Sequence, residues 1–150
     1  MSEHKALVQW SGDREDFSYQ TYTRNHSWNF EGGSRVEASA APGFLGDESR
    51  VDPEEALVAS LSSCHMLTFL AVAAKKRYVV DSYTDDAVGF MEKNTEGKLA
   101  ITRVVLRPRI VFSGERQPTT EQVDELHHIA HAECFIANSV KTEIIVEPTV

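Results

Sequence analysis

Two cysteines, Cys64 in "SLSSCHMLTFLAVAAKK" and Cys134 in "HHIAHAECFIANSVK", are the side chains of this 150-residue sequence most suited to covalent chemistry. A thiolate is both a nucleophile and a soft metal ligand, so three roles compete: inert buried thiols, metal ligands, or a redox pair that cycles. A reactive thiol needs positive charge or hydrogen-bond donors near sulfur, and access for a substrate. Ser60, Ser63, His65 and Thr68 lie within about one helical turn of Cys64, but none is a permanent cation, so an arginine from elsewhere is required. In "YTRNHSWNF" strict alternation puts Tyr22, Arg24, His26, Trp28 and Phe30 on one strand face. If the aromatics turn inward, Arg24 goes with them and needs an anionic partner, for which Glu54 is the candidate. Arg35 and Arg50 are weaker alternatives.

The metal role rests on His127, His131 and Cys134, whose spacing of four and three places all three on one helical face. Imidazole plus thiolate suits zinc, and His65 and His128 could add ligands. Neither an HExxH pattern nor paired CxxC motifs accompany them, and the neighbouring Glu121, Asp124, Glu125 and Glu133 fit a solvated helix face equally well. Blander roles exist for the rest: Cys64 as a small core hydrophobe, Glu54 as a first-turn carboxylate favoured by the helix dipole, Arg24 and His26 on a solvated strand face.

The chain has the length of one domain and can bury a core without staples, so its cysteines need not be structural. Its net charge of -8 opposes sequence-independent attraction to phosphate backbones, which argues against nucleic acid as a partner. The start "MSEHKALVQW" lacks the apolar stretch of a signal peptide, and the longest apolar run, Met66 to Ala74, is interrupted by Thr68 and closed by Lys75, Lys76 and Arg77. That run falls short of the ~20 residues of a spanning helix, so a cytoplasmic protein without membrane insertion is expected.

Ala6 to Trp10 and Tyr19 to Phe30 are expected as strands, with a Gly-Gly turn into a third. Ala41 to Val51 is rich in turn formers and is expected to be a mobile loop. Asp52, Pro53 and Glu55 then form a strong helix start, predicting a helix from about 53 to 76. Leu57, Leu61, Cys64, Thr68 and Ala71 share one face of it, and the flanking apolar residues suggest burial on most sides. Val79 to Lys93 and Leu99 to Phe112 read as strands joined by a hairpin at "NTEGK". Pro118, Thr119 and Thr120 open a second helix carrying Val123, Leu126, Ile129 and Ala130 up to the neighbourhood of Cys134, and "KTEIIVEPTV" closes the chain as a strand. This order makes an α+β fold with helices packed on antiparallel sheet.

"VDPEEALVASLSSCHMLTFLA", with Pro-Glu-Glu opening the helix and a cysteine ten residues after the first glutamate, resembles the OsmC/Ohr family of organic hydroperoxide reductases, and "ECFIANSVKTEI" resembles that family's second-cysteine motif. The resemblance extends over nearly the whole chain and implies one OsmC-like domain over 1-150, with antiparallel sheets around a long central helix in an intertwined homodimer. It implies a thiol peroxidase in which Cys64 is peroxidatic and Cys134 resolving, assisted by a glutamate that matches Glu54 and an arginine for which Arg24 is chosen over Arg35 and Arg50. The substrate it implies is an organic hydroperoxide. No cofactor is implied beyond an external dithiol reductant, such as a lipoylated or thioredoxin-like protein. His65 stands where many relatives carry an apolar residue. Ten residues of continuous helix would hold Glu54 about 15 Å from Cys64, so either the helix breaks or Glu54 serves the Cys64 of a second chain. A pocket for an alkyl tail could draw on Phe44, Leu61, Leu67 and Phe135. Two other functions compete: a non-enzymatic redox sensor or binding module of the same fold, and the zinc site on His127, His131 and Cys134.

Overall fold

Backbone groups at a helix start need partners, and Asp52 and Glu55 supply them reciprocally. The Asp52 carboxylate accepts from the Glu55 N–H at 2.8 Å, and the Glu55 carboxylate accepts from the Asp52 N–H at 3.1 Å. Helix α1 (Pro53–Lys75) follows from this start, in the computed structural model that describes residues 1–149. The chain forms two compact units, Met1–Ala56 and the residues from Leu57 onward.

The first unit is an antiparallel meander of β1 (Ala6–Gln9), β2 (His26–Phe30) and β3 (Arg35–Ala38), in that spatial order. Gly33, at φ +87°, makes the expected turn between β2 and β3. The strand predicted from Tyr19 begins only at His26. Between them the Ser18 carbonyl accepts from the Tyr22 N–H at 3.0 Å, and the Thr23 hydroxyl accepts from the Asn25 N–H at 3.2 Å. Short polar side chains that bond the local backbone favour turns over a ladder, which is why the aromatic alternation did not extend the strand. Arg24 therefore lies outside β2, and the shared inward face is lost.

The Ala41 to Val51 segment is tied rather than loose: Pro42–Phe44 forms one 3-10 turn, the Asp47 carboxylate accepts from Ser49, and Val51 bridges to Ala38. Gly46 passes so near Ala40 that a Cβ there would sit 1.6 Å from the Ala40 carbonyl oxygen. Gly46→Ala is expected to cost about 2 kcal/mol or more, because a backbone atom must move. Urea denaturation measures the loss, and an unchanged midpoint would contradict this packing.

In the second unit β4 (Val79–Asp85) pairs antiparallel with β7 (Pro108–Ser113), while β5 (Val88–Lys93), β6 (Leu99–Leu106) and β8 (Glu143–Val146) form a second sheet. Each long stretch foreseen as one strand thus divides in two. Asp85 stands at the crossing between sheets, where its carboxylate accepts from the Arg107 N–H at 2.6 Å and from the Ser62 hydroxyl. The β5–β6 hairpin turns at Asn94 to Lys98 as expected, with Gly97 at φ +74°. β8 joins β6 in parallel, a departure from purely antiparallel pairing. The return through β7 and helix α2 (Thr120–Glu133) brings the chain back in the direction of β6. The predicted closing strand ends at Val146, and Val150 lies outside the described residues.

Helix α2 starts on a full capping box between Thr119 and Gln122. Losing it in Thr119→Ala is expected to cost about 1 kcal/mol, read as a lower thermal midpoint. Leu126 and Ala130 pack with Phe69, Ala73 and Tyr78 in one core cluster; Leu61, Val104 and Leu106 centre another. The buried residues of α1 are Leu61, His65, Phe69 and Ala73, a single ridge at intervals of four. The expected face through Cys64, Thr68 and Ala71 is displaced by this ridge, and burial on most sides is not found: Leu67 is 60% exposed. Taken whole, α1 has the length and apolar composition to cross a membrane, a condition that core helices of soluble proteins also meet.

Candidate functional site

Cys64 lies just off the buried ridge of α1 and is partly exposed. Cys134 caps the C-terminus of α2, is 1% exposed, and its sulfur accepts from the Ala137 N–H at 3.4 Å. Both thiols are free. They are neighbours: burial raises the Cys134 pKa above its ordinary value, the Ala137 N–H opposes this, and the adjacent Cys64 thiol raises it further. Tertiary folding thus brings together two thiols far apart in sequence, one partly exposed and one buried with its pKa raised.

The residue after Cys64 matters in a way its position alone did not indicate. His65 is 1% exposed and faces His127, itself 4% exposed, with His65 Nε2 and His127 Nδ1 3.1 Å apart. The ring planes differ by 9° and the centroids are 5.4 Å apart. The centroid separation exceeds the nitrogen gap by one ring width, so the imidazoles lie edge to edge in a common plane with a nitrogen of each aimed at the other. Burial pushes the His65 pKa down to about 4, helped by His127 and His131 and opposed by Asp85. Burial likewise pushes His127 down to about 4. Both rings are therefore neutral at pH 7, and one must donate to the other. The sequence carried one clue to this pair: His65 falls within the Leu61, Phe69, Ala73 register of apolar residues at intervals of four.

This orientation takes His127 away from the zinc set proposed with His131 and Cys134. Among the described residues no three His, Cys, Asp or Glu side chains converge to hold a metal ion.

In the first unit, Glu54 is left without a capping task, because Asp52 and Glu55 perform it. Its Oε2 is buried with no hydrogen-bond partner among the described residues. Burial raises its pKa, its own backbone N–H counteracts this in part, and Asp52 and Glu55 add to the rise. A buried carboxylate oxygen without a donor is costly, so the site suits a cation. Arg24 does not supply it within the chain: its guanidinium donates to the Tyr22 carbonyl at 2.6 Å and to the Tyr19 carbonyl, and sits 3.6 Å above the Tyr22 ring. Arg35 pairs with Glu37 at 2.6 Å, and Arg50 pairs with Glu37 at 2.8 Å and Asp47 at 3.7 Å. His26 is engaged with the Arg24 carbonyl at 2.7 Å. α1 runs unbroken from Pro53 to Lys75, which removes a helix break as a way of bringing Glu54 to Cys64.

The imagined alkyl pocket is not assembled by these residues. Leu61 is consumed by the core, while Leu67, Phe44 and Phe135 face solvent, Phe135 at 78% exposure.

Comparison with known proteins agrees with this architecture. The chain is similar to an OsmC-like protein of unknown function from Vibrio cholerae, at 55% identity and TM-score 0.96, over 99% of this chain and 100% of that one. An organic hydroperoxide resistance protein from Elizabethkingia anophelis shares the fold at 20% identity and TM-score 0.72, covering 100% of this chain and 96% of that one. The corresponding protein from Bacillus subtilis does so at 15% identity and TM-score 0.71, covering 99% and 98%. The comparison with curated proteins returns no match. The sequence profile described as OsmC-like protein matches residues 46–149, which contain both cysteines, both helices and the two sheets around them, and by that match the chain belongs to the OsmC-like protein family.

Proposed function

We propose that this protein is a thiol peroxidase that reduces organic hydroperoxides. The observation that carries the proposal is the apposition of a partly exposed Cys64 with a buried Cys134 whose pKa is raised by burial. The Cys64 thiolate attacks the terminal peroxide oxygen, the O–O bond breaks, the alcohol leaves with a proton, and Cys64 becomes a sulfenic acid. Cys134 sulfur then displaces that oxygen as water, forming the Cys64–Cys134 disulfide. An external dithiol, such as a lipoylated or thioredoxin-like protein, returns both electrons and protons by thiol–disulfide exchange. The chemistry calls for no bound cofactor.

The working form is a cytoplasmic homodimer. Exposed Leu67 and Phe135 near the two cysteines in sequence, and Leu7, Val8 and Trp10 on and beside β1, support apolar faces that a second copy would cover. In that dimer Glu54 and Arg24 serve Cys64, Glu54 contributing a carboxylate whose Oε2 lacks a partner among the described residues. Arg24→Ala is expected to slow alkylation of Cys64 at neutral pH severalfold, through a smaller thiolate fraction. An unchanged rate, with slowing in Arg50→Ala or Arg35→Ala instead, would move the role to that arginine.

The deciding experiment treats reduced protein with one equivalent of an organic hydroperoxide, follows peroxide loss, and maps the cysteines by peptide mass spectrometry. Rapid loss with a Cys64–Cys134 disulfide supports the peroxidase. No loss with both thiols intact would leave a thiol-bearing binding module or a sensor that needs another oxidant.

A further inference from the structure

The His65–His127 pair has no task in the chemistry above, yet it is among the most fully buried polar groupings in the chain. It joins the two helices that carry the thiols. His65 is the residue next to Cys64 on α1, and His127 lies on the α2 segment that ends in the Cys134 cap. The outer nitrogens, His65 Nδ1 and His127 Nε2, are buried without partners among the described residues, where the bond between the rings is the one hydrogen bond each imidazole makes. Two polar rings buried for a single mutual bond are poor stabilisers compared with an apolar pair of the same size, which points to a role in holding geometry. Phe69 packs on His127 at 4.5 Å and on Tyr83 at 5.6 Å, leaving the rings little room to turn. A neutral N–H···N bond is directional and fixes the rotation of α1 against α2 in a way that apolar contacts do not.

We propose that His65 and His127 are positioning residues that lock α1 to α2 and thereby set the approach of the Cys64 and Cys134 sulfurs. The charged and titratable groups acting on the pair are His131 from α2 and Asp85 from the end of β4, with Tyr83 across Phe69. A first proton, taken at an outer nitrogen, leaves the N–H···N bond beside a buried cation that these groups accommodate only in part, and a second turns both facing nitrogens into donors and breaks it.

The role deepens the proposed thiol cycle but is testable without peroxide. Reduced protein is equilibrated with glutathione and glutathione disulfide. The Cys64–Cys134 bond forms as both thiol protons and two electrons pass to glutathione disulfide, giving two glutathione thiols. The equilibrium constant reports how well the sulfurs are placed. His127→Phe keeps a ring but removes one partner of the bond, and is expected to lower the constant about tenfold, the equivalent of one lost hydrogen bond. His127→Asn, which puts an amide group near the Nδ1 position, is expected to recover most of it. The double variant His65→Phe, His127→Leu removes both polar rings, so it avoids an orphaned imidazole if the single variant fails to fold, and it too should show the lower constant. In the parent protein the constant, referred to the thiol forms, should fall as the pair is protonated toward pH 4 and below; in the double variant that fall should be absent. Folded variants with the parental constant and pH profile would overturn the proposal. Failure of peroxide consumption alone would strike the peroxidase reading and leave this one standing.

Discussion

Cys64→Ser abolishes hydroperoxide consumption, whereas Cys134→Ser consumes one equivalent per site and then stops: this is the expected pair of results, and the difference follows from burial. Serine at 64 offers a hydroxyl that is not ionised near pH 7, so attack on the O–O bond is lost altogether and the rate falls to background. Serine at 134 leaves the attacking sulfur untouched, and Cys64 proceeds to its sulfenic acid. With no second thiol beside it, that acid persists or climbs to the sulfinic state. Stopped-flow peroxide loss, with sulfenic acid trapping by a 1,3-diketone, distinguishes the two variants. Full turnover in both would end the two-cysteine mechanism. A sulfenic acid trapped at Cys134 in Cys64→Ser would exchange the roles of the two sulfurs, against their exposures.

The second large effect concerns acid. His65 and His127 are each pushed from an ordinary value of 6.5 down to about 4 in the folded chain. The unfolded chain therefore binds more protons than the folded one between these values, and stability falls as pH drops through that window. It is fully present above about 6.5 and its loss levels off below about 4. The expected loss is on the order of 3 kcal/mol for the pair, discounted from the sum of two shifts because the two sites interact. Most of this window lies above the ordinary carboxylate values, so Glu37, Asp47, Glu92 and Glu121, all held lower by their partners, add their own loss only at more acidic pH. Glu54, with its raised pKa, acts in the opposite sense. Urea unfolding at pH 7.5 and 4.5 measures the effect, and the double variant at positions 65 and 127 should show a much flatter dependence. Equal slopes would mean that the imidazoles are hydrated in the folded state.

Several features were legible from local signals alone. The α1 start is written in Asp52, Pro53 and Glu55, the β5–β6 turn in the Asn94 to Lys98 segment, and the α2 cap in Thr119 and Gln122, because each depends on contacts between residues at most four apart. The spacing of Glu54 from Cys64 and the second-cysteine segment likewise pointed to the OsmC-like family before any coordinates. Alternation misled at Tyr19 to Asn25, where a local backbone turn onto the Ser18 carbonyl and the Thr23 hydroxyl took the backbone groups that a strand would have used. It misled again over Arg24, whose guanidinium found two carbonyls and a tyrosine face close by in the chain.

What the sequence determined by itself is therefore the two helix starts, the β5–β6 turn and the two thiols, since capping, turn chemistry and helical period act over a few residues. Tertiary structure alone decided that β8 runs parallel to β6, that α1 buries the Leu61, His65, Phe69, Ala73 ridge rather than the face through Cys64, and that His65 meets His127. Those outcomes depend on which surfaces of distant elements come into contact, and a ring turned by one helical position exchanges solvent for a partner that no local pattern encodes.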